Sequence, residues 1–160
     1  MKVDIEAIKR ELSYCPDTGA FRWTVAARGR QLSRDAGTIN TLGYRVICFR
    51  GRLLLAHRVA FVFMTGSWPE FDVDHINGQK ADNRWVNLRD VRRAVNVQNR
   101  RSATNESKTG MLGVVKVGRR YQASIGVNGK TKKLGYFDSP EEAASAYVSA
   151  KRELHIGCTL

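Results

Sequence analysis

The sequence predicts an α+β protein in two parts. A strand–loop–strand–helix module occupies the middle of the chain, and a small three-stranded antiparallel sheet packed on one helix follows it. Three observations carry this prediction. Apolar residues switch between helical and strand-like spacing along the chain. Arg50-Gly51 and Asn128-Gly129 each separate two strand-like runs, as hairpin turns do. Ser139, Pro140, Glu141 and Glu142 supply an N-cap, a first helical residue and an acidic first turn ahead of an alanine-rich stretch. At 160 residues there is room for one ordinary domain or two small ones.

Taken in order, Val3, Ile5, Ile8 and Leu12 fall at near-helical spacing and predict a short amphipathic helix. Pro16-Asp17-Thr18-Gly19 reads as a tight turn, since proline presets φ and glycine accepts positive φ. Phe21-Arg22-Trp23 reads as a brief strand, and the basic, glycine-containing stretch 26–38 as an exposed loop. Residues 44–49 and 52–55 form the first predicted hairpin. Residues 57–64 are apolar enough for a core helix, closed by Thr65-Gly66. Strands at 71–74 and 88–91 and a helix over 93–101 make the middle module. Residues 102–109 are polar and aperiodic, the expected linker. Strands then follow at 113–117, 121–127 and 132–136. The last helix runs from Pro140 to near Leu154, with small residues that let it lie close on the sheet.

The charge points to a polyanion. Lys and Arg total 27 against 15 Asp and Glu, giving a net charge of +12 and a pI near 10.1. A surplus of this size favours phosphate backbones over a merely solvated surface. Of the segments 1–73, 74–83, 84–109 and 110–160, only 74–83 carries more acids than bases, two against one. No window is apolar over the ~18 residues a spanning helix needs, and the charged N-terminus lacks an apolar signal region, so no membrane association is expected. Three cysteines at long spacings (Cys15, Cys48, Cys158) indicate neither a disulfide framework nor a cysteine zinc site and suit a reducing cytoplasm.

The acidic stretch carries the chemistry. It reads Asp74-His75-Ile76-Asn77-Gly78, then Asp82-Asn83-Arg84, Asn87-Leu88-Arg89 and Asn96-Val97-Gln98-Asn99. Phosphodiester hydrolysis needs an activated water, a cation to absorb charge on the leaving oxygen, and grip on flanking phosphates. Asp74 offers an anionic metal ligand and Asn96 a neutral amide oxygen, a donor set suited to Mg²⁺ or Mn²⁺. His75 is the one evident general base. Adjacent strand residues point to opposite faces, so Asp74 and His75 converge only if the strand ends there. Arg84, Arg92, Arg93, Arg100 and Arg101 are the expected backbone contacts beside the site. His57 is read as a helix-entry residue, and Asn77, Asn83 and Asn99 as turn or helix hydrogen-bonders.

Residues 72–101, through these four blocks, resemble the HNH endonucleases of the phage and homing type, a branch of the His-Me finger (ββα-metal) nucleases. The resemblance implies a ββα-metal fold, His75 as general base, Asp74 and Asn96 as metal ligands, and Asn87 as the residue that holds the site's loop. Asn96 stands where many of these enzymes have histidine, a form that occurs in the homing branch and argues against zinc. Upstream, residues 14–23 and 43–64, with Leu55-Ala56-His57-Arg58, resemble the N-terminal region usual in such proteins.

Residues 110–155 resemble the ethylene-response-factor (APETALA-type) DNA-binding domain, through Gly113-Val114, residues 121–125, Asn128-Gly129-Lys130, residues 134–137, Glu141-Glu142-Ala143-Ala144 and Ala146-Tyr147. The resemblance implies a sheet laid in the major groove, with Arg119, Tyr121, Lys130 and Lys132 as DNA contacts and Lys116 and Arg120 depending on strand phase. The expected whole is a metal-dependent DNA endonuclease of a bacterial or phage-infected cell, monomer or homodimer, acting on double-stranded DNA. Residues 1–101 cut and 110–155 place the cut. The rival is a non-catalytic DNA-binding regulator with a silent nuclease fold, and an RNA-binding module is a weaker third.

Overall fold

The computed structural model describes residues 3–103 and 107–159, so residues 104–106 of the expected linker lie outside the described residues. The chain divides into two units, Met1–Arg92 and Arg93–Leu160.

In the first unit, α1 (Ile5–Glu11) starts at Asp4, whose carboxylate accepts the Glu6 N–H at 3.0 Å. It leads directly into β1 (Leu12–Tyr14), which pairs antiparallel with β2 (Phe21–Trp23) around the Cys15–Gly19 turn. β1 is an addition to the sequence reading, because three residues carry too little alternation to announce a strand. β4 (Arg45–Phe49) and β5 (Arg52–Leu55) form the expected hairpin, with positive φ at both Arg50 and Gly51. A third strand, β3 (Thr38–Ile39), joins β4 at the end of the expected loop, and Asp35 bridges to Arg22. The two-residue β3 is too short to show alternation, and the Arg22–Asp35 bridge joins residues thirteen apart, so local composition is silent about both.

The core of this unit gathers on α2 (Ala56–Thr65). Val59, Ala60 and Val62 are fully buried and share the interior with Ile8, Leu12, Phe21, Ile47 and Phe49. Each large side chain among them contributes roughly 1.5–3 kcal/mol of burial free energy. Gly66 ends α2 in the left-handed conformation. β6 (Asp72–His75) and β7 (Leu88–Val91) pair antiparallel, with His75 opposite Leu88 and Asp74 opposite Arg89. Val73 and Leu88 belong to the same core, and Trp85 packs on Phe61 with ring centroids 4.8 Å apart. The two-stranded ribbon is thus seated on a packed interior.

The second unit opens with α3 (Arg93–Gln98). The helix expected to reach residue 101 stops at Gln98. There Asn99 and Arg100 donate to the carbonyls three residues back, at 3.0 and 3.2 Å, which tightens the last turn. β8 (Val114–Val117), β9 (Arg120–Val127) and β10 (Lys130–Phe137) form an antiparallel sheet in the order β10-β9-β8. α4 (Pro140–Leu154) begins at Ser139, whose hydroxyl accepts the Glu142 N–H at 3.2 Å. Val114, Ala123 and Ala143 form the small core, with Met111, Leu134 and Phe137 against it. Three strands and one helix are the arrangement expected from the sequence. No helix among the described residues is long and apolar enough to cross a membrane.

Candidate active site

β6 ends at His75, and Asn77-Gly78 follows as a turn. Alternation puts Val73 and His75 on the core side of the ribbon and Asp74 on the other. Both site residues are buried nonetheless, Asp74 at 7% exposure and His75 at 4%. Such burial of a carboxylate requires a partner. Arg89, directly across the ribbon, supplies it: its Nε and Nη2 donate to Asp74 Oδ2 at 2.9 and 2.7 Å. The register that brings Arg89 opposite Asp74 therefore fixes the carboxylate's orientation. The sequence reading assigned Arg89 no role, although it ends the Asn87-Leu88-Arg89 block.

The loop between the strands is held by its own amides. Asn87 Oδ1 accepts the Asn77 N–H at 2.9 Å while its Nδ2 donates to the Asp82 carbonyl at 2.7 Å, and its backbone carbonyl accepts from Ile76 at 2.9 Å. One buried asparagine thus ties the start of the loop to its end. Asn77 Nδ2 donates to Asp82 Oδ2 at 2.7 Å, and Arg84 forms a fork on Asp82 at 2.8 and 2.7 Å. The Arg84 guanidinium, with the Asn77 amide behind it, holds the Asp82 carboxyl down at about 2. From outside the loop, Tyr14 donates its hydroxyl to the Asn83 carbonyl at 2.7 Å and Trp85 N–H donates to the Pro16 carbonyl at 2.8 Å. Gly19, at φ +72°, completes this docking: a Cβ there would meet the Arg84 nitrogen at 2.5 Å.

His75 lies in an aromatic pocket. The His57 ring meets it edge to face at 5.0 Å between centroids, and Tyr44 lies 6.0 Å away. His75 Nε2 is 3.3 Å from Asn83 Oδ1, and Asn83 Nδ2 donates to the Ala81 carbonyl at 3.2 Å. With the amide so oriented, Nε2 carries the proton and donates, and Nδ1 is the nitrogen equipped to accept one. Burial pushes the His75 pKa down, opposed by the Asn83 contact and the charges of Asp74 and Asp82. A neutral imidazole at neutral pH is what a general base needs. Asn83, 1% exposed, is a site residue that its chemistry alone would assign to a turn. His57 was read as a helix-entry residue, and it is one, the second residue of α2. Only packing shows that it also walls His75.

The other predicted residues are placed as follows. Asn96 lies on α3, in the second unit. Arg84 and Arg92 are exposed in the first unit, Arg84 engaged by Asp82 and Arg92 5.3 Å above the Phe71 ring. Arg93, Arg100 and Arg101 are exposed in the second. Arg119 sits in the turn between β8 and β9. Opposed residues of neighbouring strands share a face, and α4 covers the face of Val114 and Ala123. The pairs Tyr121–Phe137, Ile125–Lys132 and Val127–Lys130 put Tyr121, Lys130 and Lys132 on that same side. The open face carries Val115, Gln122 and Tyr136 in one cross-strand row, with Arg120 and Lys133 beside it.

Among the described residues, no group of three or more His, Cys, Asp or Glu side chains is arranged to hold a metal ion by itself. Among the described residues, Asp74 is an oxygen donor held in one orientation by Arg89, a ligand type that suits a hard cation.

Neither the curated proteins nor the solved structures include a match to this chain. Residues 54–98, from β5 to the end of α3, do match a family model, which supports a nuclease acting on nucleic acid: the family is that of the HNH endonucleases.

Proposed function

We propose that the protein is a metal-dependent DNA endonuclease of the phage or homing type, built on a ββα-metal module. The observation that carries the reading is the end of β6, in the segment that matches the nuclease family: a buried carboxylate oriented by Arg89, Asp74, on one face and a buried imidazole, His75, on the other. His75, its Nε2 held by Asn83, takes a proton at Nδ1 from the water that attacks phosphorus in line. The leaving group is the 3′ oxygen, so the products are 5′-phosphate and 3′-hydroxyl ends. Asp74, oriented by Arg89, and Asn96 would hold Mg²⁺ or Mn²⁺, which when bound supplies positive charge to the leaving oxygen. Asn87 keeps the loop closed so that His75 and Asp82 stay in place. One such site per chain favours nicking.

Residues 110–155 serve as the DNA-placing part, in the manner of the APETALA-type domain they resemble, on double-stranded DNA. Arg119, Lys130 and Lys132 supply charge at its rim, and the open sheet face adds Arg120, Lys133 and Tyr136. Arg84, Arg92, Arg93, Arg100 and Arg101 grip phosphates nearer the cut.

Incubation with supercoiled plasmid and Mg²⁺ tests the reading. The wild type should yield open-circle DNA, and EDTA should stop it. His75→Ala should cleave roughly 10²–10⁴-fold more slowly while retarding DNA in gels as well as the wild type does. Equal cleavage by the variant removes His75 from its role. Plasmid that stays supercoiled with Mg²⁺ and with Mn²⁺, yet is bound, supports the non-catalytic regulator instead.

A further inference from the structure

α3 cannot hold itself together. It has six residues and no buried side chain, and helices this short are unstable in isolation because the nucleating turn costs more than so few bonds return. Within the second unit, the far end of the chain packs on it. Gly157 N–H donates to Gln98 Oε1 at 2.9 Å. Thr159 donates its hydroxyl to Asn99 Oδ1, and Arg101 Nη2 donates to the Thr159 carbonyl and hydroxyl oxygens at 2.8 and 2.7 Å. Lys151 of α4 is 1% exposed and donates its ammonium to the Arg100 carbonyl just past the helix. The approach is close enough to be selective: a Cβ on Gly157 would meet the Val95 carbonyl oxygen at 2.2 Å and Gln98 Cβ at 3.0 Å.

We infer that residues 155–159, together with Lys151, form a clamp that orders α3 and thereby presents Asn96, making Gly157 and Thr159 positioning residues for the cation site. The last part rests on the proposed nuclease reading, in which Asn96 is a ligand. A buried lysine illustrates the argument. Its desolvation opposes the charged form, and a lone surface-type lysine would not be kept there without the carbonyl it serves. The clamp also makes the α4 unit more than an address label, since whatever loosens residues 155–159 loosens α3.

Amide hydrogen exchange on the full chain reads the clamp directly and needs no catalysis. Gly157→Ala and Thr159→Val should speed exchange across residues 93–99 by about tenfold or more, with β6, β7 and β8 to β10 unchanged. Thr159→Ser, which keeps the hydroxyl, should restore the wild-type rate. Unchanged exchange over 93–99 in both variants overturns the clamp, and loss of protection throughout the second unit overturns it too, by showing a general fold defect instead. Plasmid cleavage at increasing Mg²⁺ then tests the link to Asn96. Thr159→Val should raise the Mg²⁺ needed for half-maximal rate about tenfold, and should add nothing in an Asn96→Ala background. Faster exchange with an unaltered Mg²⁺ requirement leaves the clamp standing and overturns the assignment of Asn96.

Discussion

His57 and His75 meet edge to face on the core side of the β6–β7 ribbon, and the contact has a cost that should be measurable. His57 is 5% exposed, and its Nδ1 has no hydrogen-bond partner among the described residues. Burial, with smaller contributions from the neighbouring His75 and the Arg58 charge, lowers its pKa from 6.5 to about 3. The folded chain therefore resists protonating this ring over a pH range in which the unfolded chain takes the proton. Stability is full above pH 6.5 and should fall as pH drops from 6.5 toward about 3, by up to about 1.4 kcal/mol per pH unit from this group. His57→Phe, with a ring and no proton to bind, should flatten that slope. Urea unfolding of both proteins at several pH values would show it, because carboxylates such as Glu11, whose contribution is lost as pH falls below the unfolded value of 4.5, are common to both. A variant with the wild-type pH dependence would mean that His57 is not the neutral buried ring described.

At the scale of elements, strand parity decides which side chains the second unit can offer. Gln122 and Tyr136 lie in one cross-strand row of the open face, next to Lys133, whereas Lys132 pairs with Ile125 on the side that α4 covers. The β10 register slips between Lys133 and Gly135, and this bulge resets the alternation so that Tyr136 shares a face with Lys133. If the open face is what meets DNA, Lys133→Ala and Tyr136→Ala should each weaken duplex binding by about 1–3 kcal/mol, and Lys132→Ala by less than either. Fluorescence anisotropy on a duplex at fixed salt would rank them, and the reverse ranking would assign the contact to the rim. The hairpin itself was legible, because Asn128-Gly129 allows few other structures. The bulge was not, because nothing in Lys133-Leu134-Gly135 distinguishes a register slip from a continuous strand.

For the molecule as a whole, the +12 charge sets an expectation independent of any single contact. A protein that displaces counterions from about six or more phosphates loses about a thousandfold in affinity between about 50 and 200 mM salt. Binding titrations across that range should show such a slope on any duplex, and an affinity indifferent to salt would remove nucleic acid as the partner of this charge.

The sequence by itself determined the α+β class, the order of nearly all elements and the Asp74-His75, Asn87 and Asn96 blocks, because those features are local. Periodicity, caps, turn dipeptides and chemically distinctive residues at short spacing are written in neighbouring positions. Tertiary structure alone decided that Arg89 would orient Asp74, that Asn83 and His57 would wall His75, which sheet face would stay open, and that residues 155–159 would reach α3. Each of those depends on register or on packing between residues far apart in the chain, where hydrophobic burial and hydrogen-bond satisfaction choose the partner and local propensity has no say.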